Sequence, residues 1–169
     1  FSFLLLIAGN DTTTSLIGNG AELLARHPDQ RAALVAHPSL VPNAIEEMLR
    51  IEAPTQALPR TAMREVELHG VTIPAGSRVM LLWGAANLDD REFDDPERFD
   101  VHRRIQRHLS FGHGAHHCLG AALARLEGRV AFEELLGRVP DYEVVGTPVR
   151  YASNWARAFE SLPIRFPPS

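Results

Sequence analysis

The feature that most constrains this chain is the stretch Phe111-Gly112-His113-Gly114-Ala115-His116-His117-Cys118-Leu119-Gly120, which carries its only cysteine. Three glycines in ten residues rule out a regular helix or strand through it. Beyond it Leu119, Leu123, Leu126 and Val130 recur at helical spacing as far as Gly137, a plausible C-terminal stop. The loop therefore feeds a helix, with Cys118 expected in the first turn. Backbone N–H groups there lack intrahelical partners and, with the helix dipole, favour thiolate over thiol. A lone cysteine is commonly a small buried hydrophobe, but this setting suits a sulfur presented to a metal. Zinc is the weaker alternative: His113, His116 and His117 crowd the sulfur, yet the separated ligand pairs of a structural zinc site are missing. A dinucleotide loop fails because its third glycine would fall at His117. A cofactor taking one sulfur ligand remains.

The pattern Phe111-x-x-Gly114-x-His116-x-Cys118-x-Gly120 resembles the haem-binding loop of the cytochromes P-450, the haem-thiolate monooxygenases. The resemblance implies haem b with Cys118 as axial iron ligand, its electron donation favouring O–O cleavage. It also implies that Phe111, Gly112, His116 and Gly120 border the cofactor. The family more often has arginine in place of His116, a departure that a propionate-binding histidine accommodates.

A chain of 169 residues, 45% hydrophobic and 22% charged, has the composition of an ordinary globular protein. Its net charge of −4 and few aromatics argue against a nucleic-acid partner. One cysteine excludes an internal disulfide, which leaves the cytoplasm as the default location. The apolar opening, residues 1–9, is far short of the ~20 residues a membrane span needs, so it reads as buried helix. It also starts in mid-pattern with Phe1, and the expectation is one partial domain, residues 1–169, cut from a longer chain. No internal repeat, low-complexity tract or linker divides it.

Residues 1–26 read as one long helix with an odd centre, Ala8-Gly9-Asn10-Asp11-Thr12-Thr13-Thr14, where helix propensity is poor. Taken alone, this suggests a break with Asp11 or Thr12 as an N-cap. The resemblance points elsewhere, because the family carries a Gly-x-Asp-Thr segment in a long helix crossing the distal face of the haem. It implies that Asp11 and Thr12 relay protons to bound dioxygen, and that small Ala8 and Gly9 leave room for it.

Residues 28–36 and 42–52 read as further helices, with Glu47 and Arg50 sharing a face of the second. By themselves these two form an ordinary surface ion pair. The resemblance implies a buried network completed by an arginine of a downstream meander, a place that Arg98 fits. Residues 54–59 should be extended between two prolines. The resemblance makes Thr55, Gln56, Ala57 and Leu58 candidate substrate contacts, and Arg60 and His108 haem-propionate partners. Residues 66–82 read as β-structure, 91–106 as an aperiodic meander, and 142–145 and 162–166 as short closing strands.

The expected fold is mainly α with small β-sheets, the C-terminal part of a soluble bacterial-type cytochrome P-450. The implied reaction inserts one oxygen atom of dioxygen into a small hydrophobic substrate, with electrons from NAD(P)H through a ferredoxin or flavin reductase. Three rivals are a peroxygenase, for which a proton relay would be superfluous, a thiol enzyme using Cys118 as nucleophile, and a non-haem metal-binding module. These residues alone are expected to hydroxylate nothing, because too few long apolar helices remain to cover the opening one.

Overall fold

The computed structural model describes residues 2–167. Three helices build the core. Helix α1 (Ser2–Arg26) lies against α5 (Ala121–Arg138) and α3 (Val41–Ile51), while α2 (Pro28–Ala36) packs on α1 and α5, and a short α4 (Trp83–Ala86) follows the first strands. Leu16, Leu23 and Leu24 of α1, Ile45, Met48 and Leu49 of α3, and Phe132 and Leu136 of α5 form one apolar cluster. Each such side chain removed from water contributes ~1.5–3 kcal/mol. At Gly20 the helices meet so closely that an added Cβ would lie 2.6 Å from Phe132 and 2.7 Å from Met48.

Helix α1 does not break at its polar centre. The Thr12 hydroxyl donates to the Ala8 carbonyl at 2.7 Å and the Ser15 hydroxyl to the Asp11 carbonyl at 2.6 Å. These alcohols thus bond back to their own helix instead of capping a new one, which overturns the N-cap reading. The expected first residue of the helix, Phe1, lies outside the described residues. The two ends of α1 differ sharply: Leu23 and Leu24 are fully buried, whereas Phe3 and Leu6 are 76% and 70% exposed. The opening helix is therefore not buried by the rest of the chain.

Four two-stranded antiparallel sheets complete the fold among the described residues. Strand β1 (Leu58–Thr61) pairs with β4 (Arg78–Leu81), setting Arg60 opposite Val79. The hairpin β2 (Val66–Leu68) and β3 (Val71–Ile73) turns through His69 and Gly70, both at positive φ. Strand β5 (Glu143–Val144) pairs with β8 (Ile164–Arg165), and β6 (Val149–Arg150) with β7 (Phe159–Ser161). β1 was not expected from sequence, where residues 54–59 read only as extended. Helix α5 continues past Gly137, since the Val139 N–H still donates to the Leu135 carbonyl at 2.7 Å. Its leucine repeat marks the wrong face: Leu119, Leu123, Leu126 and Val130 are exposed, and Gly128, Phe132 and Leu136 turn inward.

Candidate functional site

The loop preceding α5 is shaped by its glycines. Gly112 and Gly114 take φ of +68° and +74°, a region that L side chains rarely adopt. A Cβ on Gly112 would also approach the Trp83 ring at 3.5 Å. The Gly112 N–H donates to the Leu109 carbonyl at 2.8 Å and a 3-10 turn, Gly114–His116, follows. The Cys118 N–H then returns to the Phe111 carbonyl at 2.9 Å. Cys118 is exposed, and its carbonyl accepts from Ala121, the first residue of α5. It therefore stands just before the helix rather than in its first turn. A cysteine serving as a packing hydrophobe would be buried, so its exposure favours chemistry at the sulfur.

His113, His116 and His117 are exposed as well, and His117 Nδ1 lies 3.4 Å from the Gly112 carbonyl. Among the described residues no three histidine, cysteine or carboxylate side chains are grouped as a metal set. The loop offers one sulfur rather than a tetrahedral cage, which disfavours the zinc module.

The residues that precede the loop are tied to the core. Glu47 and Arg50 are fully buried and joined by two hydrogen bonds, Arg50 Nε and Nη2 donating to the carboxylate at 2.7 and 2.8 Å. The third member is Arg103, not Arg98: Arg103 Nε donates to Glu47 Oε1 at 3.1 Å. The Arg98 side chain is exposed and only its carbonyl takes part, accepting from Arg50 at 3.4 Å and Arg103 at 3.0 Å. Two arginines five positions apart in an aperiodic meander cannot be ranked by sequence distance alone. Asn87, which sequence reasoning passed over, is buried. It donates to Ser110 Oγ at 2.8 Å, accepts the Leu109 N–H at 2.7 Å, and its carbonyl receives Arg50.

His108 departs from its expected role. Its side chain is buried, Nδ1 accepts the Ser110 N–H at 3.2 Å, and Nε2 meets Glu46 Oε2 at 3.0 Å. Both ring nitrogens are thus engaged within the protein, with none left for a propionate. Arg125 joins the same carboxylate through Nε at 2.7 Å and Nη2 at 2.9 Å. Burial pushes the Glu46 carboxyl up, but the hydrogen bonds from His108 and Arg125 outweigh it and hold the group at about 2. Glu46 and Arg125 were both missed, being 79 residues apart with no local pattern linking them.

The expected substrate segment is zipped to a second loop. The Gln56 N–H donates to the Trp155 carbonyl at 2.7 Å, the Arg157 N–H to the Pro54 carbonyl at 2.8 Å, and Thr55 bridges Ala156. Asn19 of α1 donates to the carbonyls of Glu52 and Arg157 at 3.3 and 2.8 Å, and the Arg157 guanidinium pairs with the buried Glu52 carboxylate. Thr55, Gln56 and Leu58 are half-buried, whereas Ala57 is buried.

A haem fits this arrangement. The sole thiol is exposed at the end of a glycine loop, and Arg60, half-exposed on β1, has a guanidinium that donates only to the Pro59 carbonyl among the described residues. His116 is exposed two residues from the sulfur. On α1 a Cβ at Gly9 would touch only Leu5 of the same helix, so the face of small residues there is open.

Comparison with known proteins agrees. The family model described as Cytochrome P450 matches residues 1–139. Cytochrome P450 130 of Mycobacterium tuberculosis is 46% identical over 167 residues, covering 98% of this chain and 41% of that protein. The 6-deoxyerythronolide B hydroxylase of Saccharopolyspora erythraea is 46% identical over 167 residues, covering 97% and 41%. The crystal structure of CYP109E1 from Bacillus megaterium in complex with testosterone superposes with a TM-score of 0.96 at 39% identity, covering 98% of this chain and 47% of that one. The chain thus spans about two fifths of the length of the curated relatives it matches.

Proposed function

Since the chain belongs to the cytochrome P450 family, we propose that it contributes the haem-thiolate half of a monooxygenase, with Cys118 as the axial ligand. The reading rests on one observation above all: the single cysteine is an exposed thiol held by a glycine loop at the entry to α5. When bound, haem supplies dioxygen activation and oxygen transfer, which no side chain can perform.

The chain's own residues do the rest. The Phe111 carbonyl fixes the Cys118 backbone, and so aims the sulfur. Arg60 and His116 are groups suited to carboxylate side arms of the cofactor, neither of them in an ion pair among the described residues. Thr12 spends its hydroxyl proton on the Ala8 carbonyl, so its oxygen lone pairs remain to accept a hydrogen bond and hold a proton donor, such as a water, on this face of α1. Asp11, the exposed residue directly before Thr12, is the group that exchanges protons with solvent. The paired segments 54–58 and 153–157 form one wall against which a substrate is oriented.

The substrate class proposed is a small hydrophobic molecule, and the electron donors are NAD(P)H and a ferredoxin or flavin reductase. No helix among the described residues is long and apolar enough to cross a membrane, and a cytoplasmic location accords with that. The exposed apolar side chains Phe3, Leu5, Leu6 and Ile7 of α1 favour a requirement for further covering residues before turnover. The test is Cys118→Ala in the haem-loaded protein. The red-shifted Soret band of the reduced carbon-monoxide complex should vanish, and its persistence would exclude Cys118 as ligand.

A further inference from the structure

A line of contacts runs from α3 to the backbone of Cys118. The Glu46 carboxylate holds Arg125 through two hydrogen bonds, and the Arg125 guanidinium carbon lies 4.5 Å from the centroid of the Phe111 ring. Phe111 is the residue whose carbonyl receives the Cys118 N–H at 2.9 Å. His108, on the same carboxylate, grips the start of the loop by accepting the Ser110 N–H, while the Ser110 hydroxyl donates to the Leu49 carbonyl at 2.6 Å. The two arms of the loop are thereby referred to one side chain of α3.

The pair is not part of the closed core. Its side chains retain 26% and 40% exposure, and it borders a cavity of about 260 Å³ between α3 and α5, lined also by Pro42, Ala122 and Leu126. A cation so placed attracts a sulfur anion at Cys118, and the carboxylate partly cancels that charge. Arg125 is held above its ordinary value chiefly by the Glu46 hydrogen bond, and the Cys118 thiolate acts in the same direction.

We propose that Glu46 is a positioning residue for the axial sulfur, acting through Arg125: it seats the guanidinium on Phe111 and balances its charge beside the thiolate. The inference rests on the haem-thiolate reading above. Groups that do not touch a metal but orient and charge-tune its ligands change metal affinity or activity by 10–100-fold in general, and a thiolate's donation is sensitive to neighbouring charge.

Charge balance gives the sign. With Glu46→Gln the guanidinium is uncompensated and favours the reduced, more negative centre. With Arg125→Gln the carboxylate is uncompensated and favours the oxidised one. The experiment is a spectroelectrochemical titration of the ferric–ferrous couple in the full haem-loaded protein and its Glu46→Gln, Glu46→Asp and Arg125→Gln variants. Glu46→Gln should shift the reduction equilibrium about tenfold towards ferrous, which is ~59 mV for one electron. Arg125→Gln should move it the other way, and Glu46→Asp, which keeps the charge, should restore most of the parent value. Should Glu46→Gln fail to fold, the opposite shift in Arg125→Gln still decides. Shifts within twofold of the parent, or in the same direction for both neutral variants, overturn the inference, the latter by revealing a merely loosened loop. Loss of the thiolate-type carbon-monoxide band in the parent itself would instead overturn the haem-thiolate reading.

Discussion

Glu46 and Glu47 are consecutive on α3 and differ in everything but chemistry. The Glu47 side chain is fully buried, ringed by Arg50, Arg103 and the Asp100 N–H at 3.1 Å, and apart from Arg50 of the same helix its partners lie in the meander. Glu46 is half-buried and faces α5 and the cysteine loop. One step along a helix turns a side chain by about 100°, so neighbours serve different parts of the molecule. The closed network gains little net energy from its charges, yet costs much to break, because a buried ion loses both water and partner. The half-open network can change its charge without collapsing the core, which is what a tuning element requires.

The largest effect that would sharpen this contrast is expected for Glu47→Ala. Leaving Arg50 buried without its carboxylate should cost about 3–5 kcal/mol in chemical denaturation of the haem-loaded protein, and a cost below about 1 kcal/mol would erase the distinction from Glu46. Next comes Arg103→Ala, which removes the Nε bond to Glu47 and three bonds to the carbonyls of Asp94, Asp95 and Arg98. It should lower stability by about 1–3 kcal/mol in the same assay.

A third prediction uses pH. The folded Glu46 carboxyl is at about 2 against an ordinary 4.5, so its contribution is complete above about 4.5 and lost as pH falls through 2. For a group a quarter exposed this is on the order of 1–2 kcal/mol after screening. Acid unfolding should therefore be less steep below pH 4.5 in Glu46→Gln than in the parent, and identical curves would break the assignment. The smallest effect is expected for Arg98→Ala. Its side chain is exposed and its role is carried by the backbone carbonyl, so its denaturation midpoint should coincide with that of the parent. A loss matching Arg103→Ala would return Arg98 to the network.

The local features were legible. The bounds of α2, the β2–β3 hairpin and the i, i+3 pairing of Glu47 with Arg50 follow from proline placement, turn residues and helical geometry. The glycine-rich loop was legible for the same reason, as positive φ at Gly112 and Gly114 is a demand on single residues. Burial was less so. The leucine repeat of α5 marked a real helix but an exposed face, because hydrophobic spacing reports that a surface must be covered without saying by what.

By itself the sequence determined where helices and turns form, which residue supplies the thiol, and which pairs meet within one helical turn, since these are set by backbone sterics and short-range spacing. Only the tertiary structure decided that Arg103 rather than Arg98 completes the Glu47 network, that His108 serves Glu46, and that Arg125 lies over Phe111. Those partners are separated by up to 62 residues. Their meeting depends on how three helices close around Gly20 and Phe132, a packing outcome that no local pattern encodes.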